Sequence, residues 1–428
     1  MDLLPLTMKT TLLIFWYKLK KRLWFRPLLF CFMAVAIALL AHLADGTFMD
    51  DIVPEIKEKS VTWLLDTIAS SMLVISIFAV TSMLSAFTAA QNSATPRSFK
   101  LVIADDVSQN ALSVFISAFI FGIVASVAIN NGYFGISGRF TLFIFSLAFF
   151  ALIILVFLRW VDRISRLGRL EHTIHQIEEA AEKAIVHFLE NPTLKCMSID
   201  QSKNNGVAVC SEKTGFVQNI NFERLQAFAK KADGRIRIHA LPGKFVTPGM
   251  PLAFIDVGEE IDKEEVTESI NTAFAIGETR DFEVDPRFGL IALSEIASRA
   301  LSPGINDPGT AIQIIGSQQR LFFLWSGHHK PADEEPEYDR LEVPKHQISD
   351  LFEDAFRAIA RDGAGNIEVM IKMQKAFRAL HMMDNEFIKK AAMEHSKLTH
   401  DRAEAVMEFP PDLKVLKENT LFLRKSGN

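Results

Sequence analysis

Apolar residues crowd the first 160 positions of the chain, in four runs at 28–44, 61–90, 111–129 and 140–160. A helix needs about 20 residues to cross the roughly 30 Å hydrocarbon layer of a bilayer, with a lower limit near 17. The last three runs reach roughly that length before meeting a Lys or Arg, and the first sits near the limit. Helices of soluble proteins seldom stay apolar all round for so long. The pattern therefore predicts four transmembrane helices.

Orientation follows from the short flanks. Lys9, Lys18, Lys20, Lys21, Arg22 and Arg26 precede the first run, and Arg159, Arg163, Arg166 and Arg169 follow or close the fourth. The first connecting loop carries Asp45, Asp50, Asp51, Glu55 and Glu58 against Lys57 and Lys59. The positive-inside rule then places both termini in the cytoplasm. The basic leader, residues 1–27, contains Trp16, Tyr17 and Trp24 and is expected to lie along the inner membrane surface, with the first run retained as a span and not cleaved as a signal.

Beyond residue 170 the composition becomes that of a soluble domain. Ile164, Leu167, Leu170, Ile174, Ile177, Ala181, Ala184 and Ile185 follow the three-four spacing of one helical face. The fourth span is thus expected to run on into a stalk helix over 161–192, ending at Asn191-Pro192 and coupling the membrane part to the cytoplasmic part. Short β-type runs and the turns Pro242-Gly243 and Pro248-Gly249 predict a small, barrel-like β module over 193–260. Residues 261–428 read as helical, with one apolar stripe from Ile348 to Ala360 and another from Ile367 to Leu380; 330–344 reads as a solvated acidic loop. The predicted fold class is an α-helical integral membrane protein with four transmembrane helices and a cytoplasmic α+β domain.

Composition sharpens this picture. The 428 residues include 35 Phe but 3 Tyr, a bias toward the aromatic side chain with no polar handle. Mean hydropathy is +0.18. The formal net charge of −5 argues against nucleic-acid binding through phosphate neutralisation, and 3 Cys in this length exclude a disulfide scaffold.

Two places carry candidate chemistry. At 100° per residue, Asp66, Ser70, Thr81, Ser85, Thr88 and Asn92 share one face of the second span, about 100° wide, with Leu73, Val74 and Ile77 in its middle. A polar stripe interrupted by an apolar ring can line a gated pore; equally, Ser and Thr can hydrogen-bond across helix contacts or to their own backbone. Ala118, Gly122 and Ser126 form a small-residue ridge on the third span, expected to make a close helix contact. The other place is the phrase from Arg299 to Ala311, Arg-Ala-Leu-Ser-Pro-Gly-Ile-Asn-Asp-Pro-Gly-Thr-Ala. It reads as a helix end, a turn and a new helix with Asp307 as cap and Pro308 first, either a structural turn or a site for a ligand or partner. Arg280, Asp285, Arg299, Asn306, Asp307 and Thr310 are the candidate binding residues of this region. His172, His175 and Glu178 have a spacing that can converge on a metal, but no fourth ligand is evident, so no metal is expected. Phosphate-binding, dinucleotide and nucleophile-elbow signatures are missing, and neither a cofactor nor an enzymatic activity is expected.

The four N-terminal spans, the β unit from Gly215 to Leu252, Gly277-Glu278-Thr279-Arg280, the run from Asp285 to Leu290 and the Ser302-to-Pro308 phrase occur in this order. Together they resemble the bacterial predicted inner-membrane proteins of domain-of-unknown-function family 2254, over nearly the whole chain. The resemblance implies a bacterial inner-membrane location but no established activity. Gly309 departs from it, standing where the family carries a bulkier, often aromatic, residue.

The sequence is thus read as a homo-oligomeric, channel-like or transport-related protein in the lipid bilayer. The second span would line the path, and the cytoplasmic part would assemble or gate it. The alternative is a membrane-anchored sensor or scaffold that binds a ligand or protein through its cytoplasmic domain.

Overall fold

The computed structural model describes residues 25–40, 45, 52–97, 101, 106–199, 206–256, 262–327, 336–344 and 347–420. The basic leader up to residue 24 and the end of the first apolar run, residues 41–44, lie outside the described residues. The chain divides into two compact units, Met1–Thr173 and Ile174–Asn428.

The first unit is built from α1 (Phe25–Leu40), α2 (Glu58–Ser93), α3 (Asp106–Asn130) and α4 (Ile136–Arg166). Among the described residues three helices are long and apolar enough to cross a membrane, namely α2, α3 and α4; the described part of the first apolar run, α1, has 16 residues. At 1.5 Å per residue, α2 alone spans about 54 Å. The other three helices pack around α3. Phe115, Ala118, Phe121 and Ala125 of α3 are fully buried, and Trp160 of α4 meets Phe115 edge-on at 6.1 Å. The outward face of α4 remains apolar and exposed, as Leu147, Leu155 and Leu158 are. Such faces suit hydrocarbon and not water.

The small-residue ridge makes its contact within the chain. A Cβ on Gly122 would come within 2.8 Å of the Leu65 carbonyl oxygen and 2.9 Å of the Ala69 Cβ, so α2 and α3 touch where a larger residue has no room.

The stalk departs from the expected single helix. Helix α4 stops at Arg166, the chain turns at Gly168 with φ of +86°, and α5 (Leu170–Glu190) begins afresh. That backbone is strained for any residue with a Cβ, and a Cβ there would also press on the Ala86 carbonyl oxygen at 2.8 Å. Apolar spacing carries across such a break, so periodicity alone does not reveal it.

The second unit continues with β1 (Cys196–Ile199), β2 (Val207–Cys210), β3 (Gly215–Ile220), α6 (Phe222–Lys231), β4 (Arg235–Ile238), β5 (Phe245–Val246) and β6 (Pro251–Asp256). Then come α7 (Lys263–Ala273), β7 (Phe274–Gly277), α8 (Pro286–Ala300), α9 (Pro308–Gly327), β8 (Tyr338–Pro344), α10 (Ile348–Asp362), α11 (Ile367–His381), α12 (Glu386–Val406) and α13 (Pro410–Asn419). The strands form two sheets, ordered β1-β8-β4-β6-β2 and β5-β3-β7, in place of the expected single barrel-like module. The region expected to be helical supplies β7 and β8, and β8 falls in the stretch expected to be a loop. Its Leu341 and Val343 point into the core while Arg340 and Glu342 do not, and it pairs parallel with both β1 and β4. A parallel partner must come from a distant part of the chain, which is why no local pattern announces it. The helical part has an aromatic core of Phe322, Phe352, Phe356 and Phe377, the last three on the two stripes anticipated from spacing.

Candidate functional site

The α2 stripe is built by helix geometry. Val61, Leu65, Ile68, Met72, Ala79, Met83 and Ala86 are buried and share one face. Asp66, Ser70, Thr81, Ser85 and Thr88 are exposed, about 180° around the helix from that packed face. Leu73, Val74 and Ile77 lie on the same outward side, 43%, 66% and 61% exposed. Asn92 belongs to α2, but its side chain lies outside the described residues. Ser70 donates its hydroxyl to the Asp66 carbonyl at 2.7 Å, Thr81 to the Ile77 carbonyl at 2.9 Å and Thr88 to the Leu84 carbonyl at 2.9 Å. The carboxylate of Asp66 accepts a hydrogen bond of 2.7 Å from Ser126 on α3. In the described spans Asp66 is the single ionisable residue within 61–91, 107–130 and 140–158.

The candidate binding residues of the second unit do not form one site. Arg280 and Asp285 come together: Nε to Oδ2 is 2.5 Å, with the Asp285 side chain fully buried. Asp285 is also the N-cap of α8, its Oδ1 accepting from the Arg287 amide at 3.1 Å. The Arg280 guanidinium lies 5.5 Å from the Phe288 ring centroid. Gly243, in the Pro242-Gly243 turn, presses its backbone on this pair, with φ of +88° and no room for a Cβ beside the Asp285 carboxylate.

Three further residues complete the cluster without standing out in the sequence. Arg287 donates to Asp354 at 2.5 Å and to Asp350 at 3.2 Å, both on α10. Burial raises the pKa of Asp354, partly opposed by Arg287 and Arg280. Arg287 belongs to the Asp285-Pro286-Arg287 phrase, but nothing near Asp350 or Asp354 in sequence marks them as its partners. Every charge named here has an opposite charge against it, which makes the cluster a clamp between the β sheets' turn, α8 and α10.

Arg299, Asn306, Asp307 and Thr310 sit at the other end of α8, a helix of 15 residues and therefore about 22 Å long. Asp307 caps α9: Oδ1 accepts from the Thr310 amide at 3.1 Å and Oδ2 from its hydroxyl at 2.6 Å. These bonds hold the Asp307 carboxyl below the usual carboxylate range. Asn306 adopts φ of +50°, and the Asp307 amide donates back to the Ala300 carbonyl at 2.8 Å, closing the turn. A Cβ at Gly309 would touch nothing but Asp307, at 3.2 Å. Beside the turn lies an open groove of about 490 Å³ reached by Glu295, Arg299, Ser302 and Asp362. Asp362 in turn is held by Ser298 and by both arms of Arg361.

His172, His175 and Glu178 do not converge. Glu178 accepts from Arg320 at 2.5 and 2.7 Å and from Ser317 at 2.6 Å, tying α5 to α9. Burial would raise its pKa, but Arg320 and Ser317 outweigh that and hold it low. His175 faces Glu179 at 3.4 Å instead. Among the described residues no group of three His, Cys, Asp or Glu side chains could hold a metal ion.

The chain matches the family described as Predicted membrane protein (DUF2254) over residues 20–379. The chain belongs to this family. The match takes in both units, and of the described elements only α12 and α13 fall wholly beyond it. Two uncharacterized proteins, from Mycobacterium tuberculosis and Mycobacterium bovis, are 28% and 27% identical over 114 residues, 26% of this chain. The chain spans about a fifth of the length of these curated relatives, 22% of each. No solved structure matches the chain.

Proposed function

We propose that the protein is a non-enzymatic, oligomeric, channel-like or transport-related protein of the bacterial inner membrane. In this reading four helices cross the bilayer, both termini are cytoplasmic, and the C-terminal unit assembles or gates the membrane part. One observation carries the reading: the polar stripe of α2 lies on its outward face, opposite the packed one, while Phe115, Phe121 and Trp160 fill the interior. A single copy then has no room for a pathway inside it. A face carrying Asp66 is costly against lipid, by about 2.5–3.5 kcal/mol for an acid at mid-bilayer and less near the interface. Water or further copies of the chain must cover it, and a path between copies provides both.

The fourth crossing draws support from Asp45. Placed after α1, it accepts from the Gly135 amide at 2.8 Å and the Gly138 amide at 2.6 Å, capping the start of α4. Arg139 reaches toward Glu55 and Glu58 at the same end, at 3.8 and 4.0 Å. The end of α1 and the start of α4 therefore share one side, the acidic one, and Arg159, Arg163, Arg166 and Arg169 follow at the far end of α4. That is the charge asymmetry of an inner-membrane protein with its basic flanks inside.

The test is conductance in liposomes carrying the purified full-length protein. Ile77→Ser, which wets the apolar ring, is expected to raise the current. Membranes that stay silent across ionic gradients, for the wild type and this variant alike, contradict the reading.

A further inference from the structure

We infer that the permeant species is a cation, selected where Asp66 guards the outer mouth of the α2 path; this rests on the channel reading above. Two independent features of the stripe point the same way. Asp66 sits one turn inside Trp63, a 70% exposed indole of the kind that marks a membrane–water interface. Its carboxylate is exposed and engaged on one oxygen by a neutral hydroxyl, Ser126, and no cationic side chain among the described residues pairs with it. Repeated around an axis by several copies, such carboxylates form the kind of ring that concentrates cations at a pore entrance.

The hydroxyls along the path supply the other feature. A free hydroxyl can turn a proton toward an anion or a lone pair toward a cation. In Ser70, Thr81 and Thr88 the proton is already committed to the carbonyl one turn earlier in α2, at 2.7–2.9 Å. What these side chains have left to offer outward is oxygen lone pairs. At these three positions the stripe presents acceptors, on either side of the apolar residues Leu73, Val74 and Ile77, and the described part of the face carries no Lys or Arg between Asp66 and Gln91. An anion would meet a repelling charge at the entrance and few donors beyond it.

The experiment is the reversal potential of proteoliposomes in a steep potassium chloride gradient, for the wild type, Asp66→Asn and Asp66→Glu. The wild type is expected to favour potassium over chloride, Glu to keep that preference, and Asn to lower the permeability ratio by about tenfold or more, the lower end of what focused charge contributes to local ion concentration. A wild type that conducts without cation preference, or an Asn variant with an unchanged ratio, overturns the inference and leaves the channel reading standing. A wild type that does not conduct overturns both. The wild-type potential decides the ion class even where the Asn variant fails to reconstitute.

Discussion

The two units satisfy their polar groups in opposite ways. In the membrane unit many hydroxyls turn back on their own helix, as Ser76 does to Met72, Ser113 to Gln109 and Ser146 to Leu142, each at 2.7 Å, while Ser126 crosses from α3 to Asp66. In the second unit polar side chains reach between elements far apart in sequence, as Glu178 does to Arg320, Arg287 to Asp354 and Arg237 to Glu342. With no water in hydrocarbon, a polar group must be satisfied within its own segment or by a neighbouring helix. Segments of the first unit can therefore be understood one helix at a time and are fitted together by shape, at Gly122 above all. The second unit is held by charge pairs that only the tertiary fold assembles.

That contrast can be broken most forcefully in the second unit. Asp285→Ala leaves the partly buried Arg280 without its carboxylate and removes the α8 cap, and should cost about 3 kcal/mol, read as a lowered thermal midpoint of the detergent-solubilised protein. Asp285→Asn keeps an oxygen for the cap and is expected to fall between. In the membrane unit the corresponding lesion is steric. Gly122→Leu drives a side chain into Leu65 and Ala69 and should cost about 1–3 kcal/mol, with loss of the monodisperse species on gel filtration.

A pH effect is expected in the second unit. Burial holds the His395 imidazole below its ordinary 6.5, against the pull of Glu353 and Glu394 and with Arg357 and Arg402 adding to the depression. The unfolded chain then takes up a proton that the folded one refuses. Stability is full above pH 6.5 and falls as pH drops below it. The thermal midpoint should decline by a few degrees between neutral and mildly acid buffer, and His395→Gln should flatten that slope. Thr81→Val has the smallest effect. Its hydroxyl serves only the Ile77 carbonyl among the contacts described, so the midpoint should move by less than about 0.5 kcal/mol equivalent.

The same contrast explains what could be read in the sequence. The apolar runs of α2, α3 and α4, the ridge at Gly122 and the stripes of α10 and α11 are local periodicities, and each appears where the pattern puts it. The cap at Asp307 is legible because a cap needs only its own helix start. The turn at Gly168 is not, because the apolar spacing continues through it. Strand β8 hides in an acidic stretch because only Leu341 and Val343 mark its inner face, and its partners lie more than a hundred residues away. Arg280 and Asn306, close in sequence, are expected in one site; the length of α8 keeps them apart. Asp350 and Asp354 meet Arg287 through packing that no spacing rule anticipates.

The channel reading turns on whether other copies of the chain cover the outward face of α2. Disulfide cross-linking in native membranes measures this directly, with Cys31, Cys196 and Cys210 replaced by Ser and a single cysteine introduced by Ser70→Cys or Thr81→Cys. Leu147→Cys, on the 51% exposed face of α4, serves as the comparison. Covalent dimers are predicted from the two α2 positions and far fewer from α4. Monomers throughout, or equal yields at all three positions, would contradict it.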